Sequence, residues 1–207
     1  PLVLTPGDSG TAAGPVTWRS AENESVTLRA ARAVSGWKRW KGDIRVADLA
    51  EQGLEDAVFY QLFYRAEGRD ETELAERQIL ARYPDFDPEH PRTGGFLYTA
   101  ASAPQPNQTL EYNPGDIPWD KWDDISQAEV VSTYNRGWQG AITPIRTVDR
   151  ERNRIRVEPV RGRFIKLNRY YIRNVLGALD SPGEWFHDRD ADRLYFYPPE
   201  GAVDGDV

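Results

Sequence analysis

Apolar and polar residues alternate along this chain mostly with a period of two, and turn-forming residues interrupt the alternation often. Ile44-Arg45-Val46-Ala47-Asp48-Leu49 alternates as a half-buried strand does, and Val58-Phe59-Tyr60-Gln61-Leu62-Phe63-Tyr64 is an apolar run of buried-strand length. Phe96-Leu97-Tyr98-Thr99 begins another strand, while residues 141–148 and 155–158 read as two strands joined by the charged turn 149–154. Phe164-Ile165-Lys166-Leu167 and Tyr170-Tyr171-Ile172 extend that sheet. Asn174 to Leu179 is a short helical turn stopped before Pro182-Gly183. Glu184-Trp185-Phe186-His187 and Leu194-Tyr195-Phe196-Tyr197, joined through Asp188-Arg189-Asp190-Ala191-Asp192, make a final hairpin. One segment has helical spacing: between Asp70 and Tyr83, the residues Leu74, Ala75, Gln78 and Ile79 share a face and Thr72 is available as a cap. Ile79-Leu80-Ala81 fits the end of a strand equally well.

Before Trp37 the texture differs. Leu2-Val3-Leu4, Val16-Thr17-Trp18 and Ser25-Val26-Thr27-Leu28 are short strand-like words split by the polar breaks Gly7-Asp8-Ser9-Gly10 and Glu22-Asn23-Glu24. One cycle of such words does not establish a repeat, which takes about three copies to stack stably. The chain as a whole reads as mainly β, with residues 37–199 forming an antiparallel sandwich or barrel-like domain that holds little helix.

Composition narrows the classes. A length of 207 residues fits one domain with room for a smaller second unit. The 17 Gly and 15 Pro exceed the usual share of roughly 12%, in keeping with many turns. A net charge of −7 leaves no electrostatic footprint for nucleic acid and argues against an anionic membrane surface. No apolar run reaches the length of a spanning helix. Zero Cys excludes a disulfide framework, a thiol nucleophile and Cys-ligated zinc. The chain starts at Pro1 and contains no Met, so a processed or excised segment is expected.

Candidate chemistry is sparse. Phosphate-cradling glycine loops, a nucleophile elbow and a histidine zinc pair are all missing from the sequence, and no cofactor is implied. Asp116-Ile117-Pro118-Trp119-Asp120-Lys121-Trp122-Asp123-Asp124 is the best site candidate. Two indoles three residues apart, with one carboxylate between them and others on either side, suit a sugar platform, where a ring face covers pyranose C–H groups and carboxylates accept hydroxyl protons. The same pattern fits a loop whose Trp119 and Trp122 anchor it to the sheet while the carboxylates face water. Oxygen-only calcium binding there lacks a matching loop consensus. Trp138, between Gly137 and Gly140, fits a cleft wall or a packed strand end. His187 with Asp188, Asp190 and Asp192 fits a metal cluster or, more simply, a hairpin tip held by side-chain-to-backbone bonds. Arg82, before Tyr83-Pro84, offers a guanidinium to a ligand or to the loop that follows it. Thirty-three acidic residues guarantee carboxylate pairs by chance, so no residue is assigned a catalytic role.

Leu4-Thr5-Pro6-Gly7-Asp8-Ser9-Gly10-Thr11 followed by Pro15-Val16-Thr17-Trp18-Arg19 resembles the opening of pectin-lyase-like right-handed parallel β-helix proteins. Residues 77–88 and 171–186, above all Leu179-Asp180-Ser181-Pro182-Gly183-Glu184-Trp185, are similar to glycoside hydrolase family 141-like proteins. The resemblance implies a β-helix interrupted after its first rung by an inserted β-domain. Residues 1–36 would be that rung, 37–199 the insertion, and 200–207 a linker back to the β-helix. It implies an exported parent acting on a polysaccharide or oligosaccharide, with the catalytic carboxylates on later rungs beyond Val207. Here the chain would shape the substrate cleft through Asp116, Trp119, Trp122 and Trp138, with the remaining β-helix as its partner. Two other readings stay open: a free-standing carbohydrate-binding module, and a purely structural cap or interface domain. Arg173 departs from the family pattern, standing where an acidic residue is common, and segment 65–76 is longer than the tight turn usual there.

Overall fold

The computed structural model describes residues 3–24, 26, 31–66, 75–135 and 137–199. The chain divides into two compact units, Pro1–Ala33 and Val34–Val207.

Within the first unit, the described residues form a 3-10 turn at Pro6–Asp8 and an isolated bridge between Thr11 and Gly14. The Asp8 carboxylate accepts the Thr5 amide at 2.7 Å and the Thr5 hydroxyl at 2.8 Å, which closes the turn. Ser9 caps this turn, its amide donating to Pro6 O. The strands expected around Val3-Leu4 and Val16-Thr17-Trp18 do not form, and Val3, Leu4, Val16 and Trp18 are exposed. The word Ser25-Val26-Thr27-Leu28 lies largely outside the described residues.

The second unit is built almost wholly of strands: β1 Lys38–Lys41, β2 Ile44–Asp48, β3 Phe63–Tyr64, β4 Glu76–Arg77, β5 Ile79–Leu80, β6 Arg82–Tyr83, β7 Leu97–Tyr98, β8 Ala101–Ser102, β9 Thr109–Glu111, β10 Glu129–Tyr134, β11 Gln139–Asp149, β12 Arg154–Val157, β13 Arg169–Arg173, β14 Glu184–Asp188 and β15 Arg193–Tyr197. One sheet runs β1-β2-β15-β14-β5, a larger one β6-β13-β10-β11-β12-β9-β8 with β7 also on β13, and β3 pairs with β4. None of these sheets closes on itself, so the barrel-like alternative is set aside.

The hairpins anticipated from alternation are present. β11 pairs with β12 and β14 with β15, both antiparallel, while β10, which alternation does not single out, pairs antiparallel with the other edge of β11. β14 is buried at four successive positions, because apolar clusters cover both faces of its sheet. Trp185, Leu194 and Phe196 join Leu49 on one face, while Phe186 and Tyr195 join Ala81 and Leu179 on the other. The largest core, including Leu110, Val130, Ile155, Phe164, Tyr170 and Ile172, lies on one face of the larger sheet.

Three expectations need correction. The described part of the helical segment is extended, as β4, β5 and β6; its start, 70–74, lies outside the described residues. Pairing decides this: Ile79 and Leu80 gain a parallel partner in β14, and Tyr83 an antiparallel one in β13, which outweighs weak helix propensity. Residues 58–64 are not a buried strand: Val58, Tyr60 and Phe63 are exposed, while Phe59, Leu62 and Tyr64 pack against the Leu49–Trp185 cluster. Phe164 to Leu167 is a connection and not a strand: Phe164 is buried and Leu167 exposed, and the Phe164 amide donates to Pro106 O and the Leu167 amide to Thr99 O.

Residues 79–83 cross from one large sheet to the other. Ala81 donates its amide to Trp185 O at 2.7 Å and accepts from the Asn174 amide at 2.9 Å, so this residue links both sheets.

Candidate functional site

The sequence-predicted residues do not come together. Trp119 and Trp122 are each only 6% exposed, within the largest core. Their rings meet edge to face at 5.4 Å, Trp122 meets Tyr83 likewise at 5.7 Å, and Trp119 Nε1 donates to the Tyr112 hydroxyl at 3.0 Å. Gly177 allows the close approach, since a Cβ there would lie 2.6 Å from Trp122 Cδ1. These indoles anchor the loop, and neither offers a face to a sugar. Asp116 is half-buried and accepts Asn113 Nδ2 at 2.9 Å. Asp120 pairs with Arg150, just past β11.

Trp138 is 87% exposed at the opposite end of β11, in the turn from β10. Its exposed ring and the two buried indoles share no surface, so they do not form one platform. Contacts that are distant in sequence set these positions, and residue spacing alone carries no sign of them.

Next to Trp138 lies a groove that sequence reasoning missed. Register puts Tyr171, Val131 and Ile142 in one row across β13, β10 and β11, facing away from the core side chains Val130 and Tyr170. Arg173, Glu129 and Pro144 form the row beside it. Phe96, Thr133, Gly140 and Arg169 complete an open hollow of about 420 Å³. In that neighbouring row Arg173 and Glu129 form an ion pair at 2.8 Å, so Arg173 has a structural partner.

Arginines frame its aromatic wall. The Arg82 guanidinium sits 3.5 Å from the Tyr171 ring centroid and 5.5 Å from that of Phe96, while Arg169 lies 4.9 Å from Phe96. Arg82 also donates to Pro84 O at 3.0 Å and to Gly95 O, and thus ties down the loop after it. Burial lowers its pKa, partly offset by the nearby Tyr171, Glu184 and Asp85. The alternating pattern of β13 hinted at the outer row, but the partners from β10, β11 and the Phe96 loop were not readable locally.

Behind Arg82 stands the most perturbed carboxyl. Glu184 is 3% exposed and accepts backbone amides from Arg82 at 3.3 Å, Ser181 at 3.3 Å and Asp180 at 3.4 Å. Burial first, then Asp85, pushes its pKa up to about 8 against the pull of those amides. Asp180 is raised by burial and by Asp85, while Lys121 opposes the shift. Ser181 Oγ donates to Asp85 at 2.6 Å. The protonated Glu184 is enclosed among backbone amides, so it braces the sheet crossing and does not reach the groove.

His187 is also buried. It stacks on Phe59 at 4.4 Å, and neither ring nitrogen has a hydrogen-bond partner among the described residues. The adjoining acidic run is a hairpin tip, where Asp188 Oδ1 accepts the amides of Asp190 and Ala191.

The chain matches no protein-family model and no curated protein. It does superpose on a solved structure described as "Glycoside hydrolase", with a TM-score of 0.67 and 24% sequence identity, over 95% of this chain. The fold is glycoside-hydrolase-like. This chain spans about a third of that protein's length, 33% of it.

Proposed function

We propose that this chain is the first rung and inserted β-domain of a right-handed parallel β-helix glycoside hydrolase of the family-141 kind. In this reading it binds a polysaccharide and forms one wall of the cleft, and it does not hydrolyse the substrate alone. The observation that carries it is the groove: an apolar floor of Val131 and Ile142, a Tyr171–Phe96 wall and the Arg169 guanidinium suit a pyranose, with exposed Trp138 beside it. The likeness in fold to a glycoside hydrolase three times longer supports a carbohydrate ligand and a larger parent. The enclosure of Glu184 favours a non-catalytic role, because a general acid must reach the glycosidic oxygen. Export to a secreted or periplasmic setting belongs to the same proposal, as that is where polysaccharides are met.

The test is calorimetric binding of this chain to neutral plant cell-wall oligosaccharides. Trp138→Ala and Tyr171→Ala should each weaken binding on the order of tenfold, with circular dichroism unchanged. Hydrolysis by this chain alone, or binding indifferent to both substitutions, would overturn the reading.

Exposed Val3, Leu4, Val16, Trp18 and Val26 favour a second, structural role for residues 1–36, as a cap whose apolar positions another rung covers. Self-association in sedimentation, abolished by Val16→Lys and Trp18→Lys, is expected. A monomer at high concentration counts against it.

A further inference from the structure

A second surface of the same unit carries the wrong charge for this protein. The chain's net charge is −7, yet β1 reads Lys38-Arg39-Trp40-Lys41, and all four residues are exposed. β1 is the edge strand of its sheet, so only β2 lies beside it. Among the described residues, Lys38, Arg39 and Lys41 have no carboxylate partner. The nearest acidic residue in sequence is Asp43, in the turn between the strands.

Trp40 sits between these cations. It is 44% exposed, and its ring meets Tyr195 edge to face at 5.0 Å, which fixes the indole while leaving part of it in water. Register places Lys38 opposite Val46 and Lys41 opposite Ile44, and Val46 is itself opposite Tyr195, the partner of Trp40. The two lysines therefore flank the aromatic on the same edge, about 10 Å apart along the strand. An uncharged sugar would use the indole alone. A sugar chain bearing carboxylates would use all of it: ring C–H groups against Trp40, and acid groups against the ammonium and guanidinium groups on either side.

We infer that β1 is a binding strip for an anionic oligosaccharide, one that carries uronic-acid carboxylates. Resting on the carbohydrate-binding reading above, it adds a charge class and a second contact surface distinct from the Phe96–Tyr171 groove. A nucleic acid would also be drawn to cations, but a strip this short on a strongly acidic chain gives few phosphate contacts.

The experiment titrates this chain with a hexasaccharide of 1,4-linked uronic acids and with the same hexasaccharide fully methyl-esterified. The free acid should bind on the order of tenfold more tightly at low salt, with the difference shrinking as ionic strength rises. The double variant Lys38→Gln, Lys41→Gln should erase that difference, and Trp40→Ala should weaken both sugars. All three residues are exposed, and circular dichroism checks that the variants fold. Equal affinity for acid and ester, an unchanged preference in the double variant, or tighter binding of a single-stranded DNA dodecamer would overturn the inference. The ester is also the control for the groove: if it binds and is lost in Trp138→Ala while the acid shows no preference, only the β1 strip is wrong. If neither sugar binds, the carbohydrate reading itself fails.

Discussion

The Arg82 guanidinium lies 3.5 Å from the centre of the Tyr171 ring, and through its own amide the same residue donates to the buried Glu184 carboxyl at 3.3 Å. A single residue therefore joins the aromatic wall of the groove to the enclosed acid at the sheet crossing. Its planar fork does what an ammonium could not: it stacks on a ring while donating to Pro84 O and Gly95 O.

Arg82→Lys should therefore behave as a disruptive change. Loss of the stack and of a carbonyl partner should cost about 2–3 kcal/mol, read as a lower midpoint in urea denaturation. Sugar affinity in the groove should fall with it, since Tyr171 loses the group that holds its ring. Stability equal to that of the parent chain would show that the stack contributes little.

Glu184 sets an alkaline limit. Its folded pKa, up to about 8, lies above the unfolded value of 4.5, so the unfolded chain loses its proton first as pH rises. The stability it contributes is whole below about pH 4.5 and declines until pH passes 8. The loss amounts to a few kcal/mol at about 1.4 kcal/mol per pKa unit. Glu184→Gln keeps the shape and should flatten that decline, as followed by thermal melts between pH 5 and 9. A Gln variant with the same slope would locate the titration elsewhere.

His187 works from the acid side. Burial first, then Arg189, lowers its pKa to about 4, against the opposite pull of Asp192 and Asp188. The folded chain holds the neutral ring, so the stability is present above about pH 6.5 and is lost as pH falls through 4. His187→Phe should keep the stack on Phe59, remove two unpartnered nitrogens and hold stability at pH 4.5. Acid unfolding unchanged by this substitution would point to other groups.

The two tryptophan sets should separate cleanly. Trp122→Ala should cost about 3–5 kcal/mol by opening a hole in the core, and Gly177→Ala should destabilise by pushing on the Trp122 ring. Trp138→Ala should leave the melting temperature unchanged while it lowers glycan affinity. A Trp122→Ala protein that melts normally would contradict the packing described here.

Alternation along 141–148, 155–158 and 184–197 is enough to locate two hairpins of the sheets, because a period-two pattern and a turn between its halves are local properties. The Asp188–Asp192 tip was legible for the same reason. Residues 79–83 were not: their short words carry both periods, and only β13 and β14 arriving from about a hundred residues away make them strands. The Trp119–Trp122 pair shows the limit most clearly, since two indoles beside carboxylates look alike whether they face a ligand or a core.

From the sequence alone followed a mainly β chain with little helix, no cysteine chemistry, a net negative charge and a likeness to a carbohydrate-active family. These depend on composition, local periodicity and characteristic words. Which tryptophan is exposed, where the groove lies, and which carboxyl is forced to keep its proton were decided by tertiary structure. Burial and register are properties of pairs of residues far apart in the chain, and no single stretch of sequence contains both members.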